Sequence, residues 1–134
     1  MKKYFLIWCW LLSMPAMAEV KDVDNAALQK LLKDKVTIVD IRTPEEWKET
    51  GVIEGSHLLT FFDKNGRYNI DNWLKELEKI SKKDQPVILI CRTGNRTTTV
   101  GNFLDKKAGY QNVYNVKKGI VEWIKAGNPI VKTP

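Results

Sequence analysis

The run Cys91-Arg92-Thr93-Gly94-Asn95-Arg96 holds a thiol, two guanidinium groups and a glycine side by side. It follows directly on Val87-Ile88-Leu89-Ile90, an unbroken apolar run of the kind a parallel strand covered on both faces requires. Beyond it Val100, Phe103, Leu104 and Ala108 recur at helical spacing, so the thiol stands where a strand ends and a helix begins. At such a junction the unpaired amides of the helix and the positive end of its dipole converge, which favours an anion and the thiolate form of a cysteine. Gly94 permits the left-handed turn that aims successive N–H groups inward. A small buried thiol is the commoner use of a free cysteine. Two arginines and a glycine serve no purpose around one, and the pattern points to a cysteine nucleophile.

The elements that must position this loop can be read on either side of it. Asp24 can cap a helix whose apolar face is Ala27, Leu28, Leu31 and Leu32. Val36 to Ile41 reads as a strand, and Thr43-Pro44-Glu45-Glu46 carries the N-cap, first-turn proline and glutamate of a capping box, which predicts a short helix to about Lys48 with Trp47 packing inward. The glycines at 51 and 55 lead to an apolar run from Leu58 to Phe62, and Asn65-Gly66 reads as a turn. Ile70, Trp73, Leu74, Leu77 and Ile80 mark an amphipathic helix. Gly109 ends the helix after the cysteine loop, Asn112 to Val116 is a further strand, and a last helix starts at Gly119 and stops at Gly127-Asn128-Pro129. Strands and helices alternate without repeat or linker, which predicts one α/β domain on a largely parallel sheet.

The chain has 134 residues, 43% hydrophobic and 28% charged, which excludes a disordered or low-complexity protein. Lys2 and Lys3, the apolar run from Tyr4 to Leu12 and the small residues of Ala16-Met17-Ala18 read as a signal peptide over residues 1–18, cleaved between Ala18 and Glu19. Pro15 interrupts the segment, and spanning a bilayer takes about 20 apolar residues, so no stable membrane anchor is expected after cleavage. Cys9, between Trp8 and Trp10, lacks the small neighbours of a lipid-attachment site. The domain is then residues 19–134, and losing two lysines lowers the formal charge from +6 to +4. The remaining charges alternate in sign (Lys33-Asp34-Lys35, Lys82-Lys83-Asp84), a solvated pattern that speaks against nucleic acid as a partner. Cys91 alone remains, so an internal disulfide is impossible in an oxidising compartment. His57 is the only histidine, which leaves no evident metal site, and it is placed bordering the strand at Leu58. A general-base role for it would need hydrogen-bond reach of the proton it moves.

These residues resemble the rhodanese-type sulfurtransferases. Cys91 to Arg96 is similar to the family's active-site loop, C-R-x-G-x-R. Val39-Asp40-Ile41-Arg42-Thr43-Pro44-Glu45-Glu46-Trp47 is similar to its first signature, and Gly109-Tyr110-Gln111-Asn112-Val113-Tyr114 with Gly119-Ile120-Val121-Glu122-Trp123 to its last. Two positions depart from the family pattern: Gly51-Val52-Ile53 stands where many members have Gly-His-Ile, and Lys118-Gly119 where many have a double glycine. Both are expected to lie clear of the cysteine loop. The resemblance implies a rhodanese-like α/β fold, a central five-stranded parallel sheet flanked by helices. It implies that Asp40 and Arg42 form an ion pair bracing the fold. Trp47, Trp73 and Trp123 read as core or near-core packing.

The resemblance also implies a thiosulfate-type sulfurtransferase, and the signal peptide is read as sending it to the periplasm. Cys91 would be the nucleophile, taking the outer sulfur of an anionic donor such as thiosulfate as a persulfide and passing it to a thiophilic acceptor, cyanide or a thiol, a partner protein's among them. Arg92, Thr93, Gly94, Asn95, Arg96 and Thr97 would surround the donor, with the two arginines on its sulfonate oxygens. No metal or organic cofactor is implied. Two other classes stay open. A sulfur-carrier, binding or redox module would use the same thiol, though a disulfide cycle would need a partner's thiol. A cysteine phosphatase is less compatible, because its loop places five residues between cysteine and arginine where this chain has four.

Overall fold

Residues 19–133 are described by a computed structural model of the chain. The expected signal peptide, residues 1–18 with Cys9, lies outside the described residues, as does Pro134. Ten elements follow in order: β1 (Lys21–Val23), α1 (Asn25–Lys33), β2 (Thr37–Asp40), α2 (Pro44–Thr50), β3 (His57–Leu58), α3 (Ile70–Ile80), β4 (Val87–Ile90), α4 (Asn95–Lys106), β5 (Val113–Val116) and α5 (Gly119–Lys125). The strands form one sheet in the order β1-β5-β4-β2-β3, and every pairing is parallel. This is the rhodanese-like α/β architecture, with the strand preceding Cys91 at the centre.

Alternation along the central strand builds two cores. Val87 and Leu89, with Cys91 continuing their phase, face Trp73 and Leu77 of α3 and Val100 and Leu104 of α4. Ile88 and Ile90 face the other way, onto Leu28 of α1 and Ile120 and Trp123 of α5. Burial on both faces explains why β4 is apolar throughout. It also fixes on which side of the sheet the thiol must lie.

The helix ends follow their capping chemistry. Asp24 accepts the Ala27 N–H, and Thr43 and Glu46 form the reciprocal capping box with Pro44 in the first turn. α2 runs two residues past the expected end, to Thr50, and Trp47 on it is half-buried. The predicted run from Leu58 to Phe62 contributes a strand of only two residues, His57–Leu58, after which Phe61 turns into the core. β1 was not apparent from the sequence: Val23 is its one buried residue, and a three-residue edge strand carries no periodicity to read.

Asp40 and Arg42, both fully buried, lie at the end of β2. The Arg42 guanidinium donates to both Asp40 carboxylate oxygens, to Thr50 Oγ1 (2.8 Å) and to the Gly51 carbonyl (3.0 Å). The pair therefore ties the start of α2 to its end and carries no charge toward the surface. Among the described residues no helix is long and apolar enough to cross a membrane.

Candidate active site

In an open parallel sheet the crevice lies beyond the carboxyl ends of the strands. Cys91 occupies that edge at the end of the middle strand and is 1% exposed. The chain then turns through Arg92 and Thr93 to Gly94, which caps α4 from the left-handed region (φ 94°, ψ −8°). The turn brings the Gly94 N–H to 3.2 Å from Cys91 Sγ, and the first turn of α4 places Thr97 Oγ1 3.4 Å from it. No other residue fits at 94, because a Cβ there would lie 2.1 Å from the Lys117 carbonyl oxygen.

A second helix fixes the loop from outside. The Ile120 N–H donates to the Cys91 carbonyl (2.9 Å) and the Val121 N–H to the Arg92 carbonyl (3.2 Å), so the opening amides of α5 occupy the carbonyls of the loop. This close approach depends on Gly119, which sits at φ +65° with no room for a side chain: an added Cβ would meet Arg92 O at 2.1 Å and Thr93 N at 2.5 Å. The expectation that the Lys118-Gly119 region lies clear of the cysteine loop is thus corrected. Lys118 itself has an ordinary φ of −106°, which explains how a lysine is accommodated where the family pattern has a glycine. The other departure does lie elsewhere, since Val52 bridges Val131 of the carboxy-terminal segment.

The two arginines have different surroundings. Arg96 donates from both terminal nitrogens to the two carboxylate oxygens of Glu46 on α2, each at 2.7 Å. This bidentate pair holds Arg96 above its ordinary range, mainly through its bond to Glu46, with the Cys91 and Asp40 charges adding to it. It holds the Glu46 carboxyl below its ordinary range through the same bond, against a smaller opposing effect of burial. Arg92 is exposed, and its guanidinium makes no ion pair among the described residues. Thr93 and Asn95 are exposed on the rim, whereas Thr97 is fully buried beneath the sulfur. The structure brings Cys91, Gly94 and Thr97 into contact, leaves Arg92, Thr93 and Asn95 exposed on the loop, and turns Arg96 to Glu46.

Three residues at this site were not singled out in the sequence. Glu46 was assigned only a capping role, yet its helix starts at the end of β2, next to β4 in the sheet, and that adjacency was the available signal. Asn115 of β5 lies under Thr97, and Asp22 of β1 holds Asn115. His57 stands on β3, exposed, at the border where the sequence placed it. A groove of about 710 Å³ between α1, α5 and the carboxy-terminal segment, lined by Leu32, Ile53 and Trp123, is lined by none of the loop residues and by no cysteine.

Residues 24–126 match the family described as the rhodanese-like domain, and the chain belongs to that family. A sulfurtransferase of Allochromatium vinosum is 32% identical over 114 residues, which span 84% of this chain and 95% of that protein. Rv0390 from M. tuberculosis superimposes with a TM-score of 0.72 at 25% identity, over 85% of this chain and 98% of that one. A protein of unknown function from Rhodopseudomonas palustris, described as a possible tyrosine phosphatase, matches with a TM-score of 0.62 at 25% identity, over 84% of this chain and 85% of its own. Residues 24–126 thus form a rhodanese-like domain, and a sulfurtransferase is among its relatives.

Proposed function

We propose that this protein is an exported sulfurtransferase that carries sulfane sulfur on Cys91 from a small anionic donor of the thiosulfate type to a thiophilic acceptor. The observation that carries the reading is the setting of the sulfur: Cys91 Sγ lies at the start of α4, within reach of the Gly94 N–H and the Thr97 hydroxyl. In the first step the Cys91 thiolate attacks the outer sulfur of thiosulfate. A new S–S bond forms, the bond to the sulfonate sulfur breaks, and sulfite leaves with that electron pair. The resulting persulfide anion is stabilised by the Gly94 amide and the dipole of α4. In the second step the acceptor, cyanide or a thiolate, takes the outer sulfur, and the electron pair of the S–S bond returns to Cys91.

The site's shape supports a small donor. Cys91 is buried at the foot of the loop, so the donor must present a narrow terminal sulfur while its charged oxygens stay at the rim near Arg92. Arg96, neutralised by Glu46, supports the loop instead of contributing a free charge. The same pairing disfavours phosphate-ester hydrolysis, which needs an arginine free to cradle the phosphate. The signal peptide read over residues 1–18 supports the periplasm as the compartment, with a partner protein's thiol standing beside cyanide as an acceptor.

The test is intact-mass spectrometry of the reduced protein, residues 19–134, before and after thiosulfate, with cyanide added last. A gain of about 32 Da that is lost to cyanide and absent from Cys91→Ser is the expected result for a persulfide on the nucleophile. No gain from thiosulfate or from a polysulfide would overturn the sulfur-transfer reading, and hydrolysis of a phosphate ester by wild type but not Cys91→Ser would replace it.

A further inference from the structure

Thr97 Oγ1 carries one proton and has three acceptors within reach: Cys91 Sγ at 3.4 Å, the Gly94 carbonyl at 3.1 Å and Asn115 Oδ1. Gly94 O already accepts the Thr98 N–H (3.1 Å) and the Thr98 hydroxyl (2.8 Å), which fills its two lone pairs. The Thr97 proton therefore goes to Asn115 Oδ1. The Asn115 amide is itself fixed end for end, because Nδ2 donates to Asp22 Oδ1 (3.0 Å) and to Thr98 Oγ1 (3.1 Å). A carboxylate has no proton to give, and Thr98 has spent its own on Gly94, so both neighbours accept only. Asn115 is 2% exposed and cannot exchange these partners for solvent.

We infer that Asn115 is a positioning residue for Cys91: it keeps the Thr97 proton turned toward β5, so that Thr97 offers a lone pair to the sulfur and accepts from the thiol. An anionic sulfur receives the Thr97 proton only when the Thr97–Asn115 bond opens. Asp22 and Thr98 act one step further out, holding the amide in the orientation that makes this so. The inference rests on the reading of Cys91 as nucleophile. Its consequence is a hydroxyl that turns to the sulfur only when negative charge develops on it.

The experiment is the pH profile of alkylation of Cys91 by iodoacetamide, followed by intact mass on the folded protein, for wild type, Asn115→Leu, Asp22→Ala, Thr97→Val, and each of the first two combined with Thr97→Val. Arg96 of α4, held by Glu46 of α2, acts on the charge of the sulfur, and Arg92 of the loop, the Asp40–Arg42 pair after β2 and Lys117 and Lys118 before α5 belong to the segments that flank the loop; all are retained, and Asp22 of β1 is the one charge removed, in Asp22→Ala. Freeing the Thr97 proton gives the anion one more hydrogen bond, so Asn115→Leu displaces the profile to lower pH and raises the rate at neutral pH roughly three- to tenfold. Asp22→Ala moves it in the same direction by less. Both displacements vanish in the Thr97→Val background, where a bare loss of charge or a loosened fold would still act. An unmoved profile, a slower rate, or a displacement that survives without Thr97 overturns the inference. If Asn115→Leu does not fold, Asp22→Ala with its Thr97→Val partner decides alone, since Asp22 is exposed on an edge strand. Alkylation needs no sulfur donor, so a Thr97-dependent displacement in a protein that takes up no sulfur would leave this inference standing and the sulfur-transfer reading refuted.

Discussion

Gly119→Ala separates a glycine tolerated by chance from one on which the loop depends. The residue sits at φ +65°, where an L side chain costs about 1–2 kcal/mol. The new methyl would stand 2.1 Å from Arg92 O, and reaching even a 3.0 Å contact requires the loop to retreat by about 1 Å. That retreat strains or breaks the bonds from Ile120 N–H to Cys91 O and from Val121 N–H to Arg92 O, each worth about 0.5–1.5 kcal/mol. The sum is a destabilisation of about 2–5 kcal/mol, and a 1 Å displacement of reacting atoms can cost about a hundredfold in rate. Two measurements check this: the urea midpoint, and the rate of persulfide formation at saturating thiosulfate. Lys118→Gly is the control, because Lys118 has an ordinary φ, and it should cost no more than about 1 kcal/mol with sulfur uptake near wild type. A Gly119→Ala protein with the wild-type midpoint and rate would refute the claim that α5 holds the loop by close backbone approach.

Three further outcomes follow from the charges. Glu46→Gln removes the anchor of Arg96; because the Glu46 carboxyl is held below its ordinary value of 4.5, its contribution to stability is present above that pH and is lost as the pH falls through its folded-state value, so the variant should show a flatter acid limb in a pH series of thermal melts. Arg92→Ala should raise the KM for thiosulfate several-fold while leaving the urea midpoint within about 0.5 kcal/mol of wild type, as expected for an exposed cation outside the packed core. Arg42→Met leaves Asp40 buried without its partner and should cost about 3–5 kcal/mol in urea unfolding, a loss that Asp40→Asn combined with Arg42→Met should partly restore.

What could be read in the sequence was local. The continuous apolar run of β4 announced a central strand, and the capping box at Thr43 and Glu46 announced α2, because the residues that make these features stand within a few positions of one another. The cysteine loop was legible for the same reason. What the sequence withheld depends on distant meetings. Glu46 and Arg96 are 50 positions apart, and Asp22 and Asn115 are 93 apart, so which charge or amide meets which partner is decided by strand order. β1 escaped notice because it adds one buried side chain, Val23, although it delivers Asp22 to the network under the sulfur.

Two helix N-termini converge on one short loop, and they do opposite things. α4 begins at Gly94 and turns an amide toward Cys91 Sγ. α5 begins at Gly119 and gives its amides to the Cys91 and Arg92 carbonyls. With those carbonyls occupied from outside, the loop's peptide units are fixed, and the Gly94 amide needs no reorganisation to meet charge on the sulfur. The cation nearest the loop's end, Arg96, is meanwhile bound by Glu46, so it stiffens the junction of α2 and α4 without offering a free charge. On the proposed reading, a loop built this way meets a small anionic donor through backbone geometry and one exposed arginine. That is why the lysine at 118 is compatible with an intact site while the glycine beside it is not replaceable.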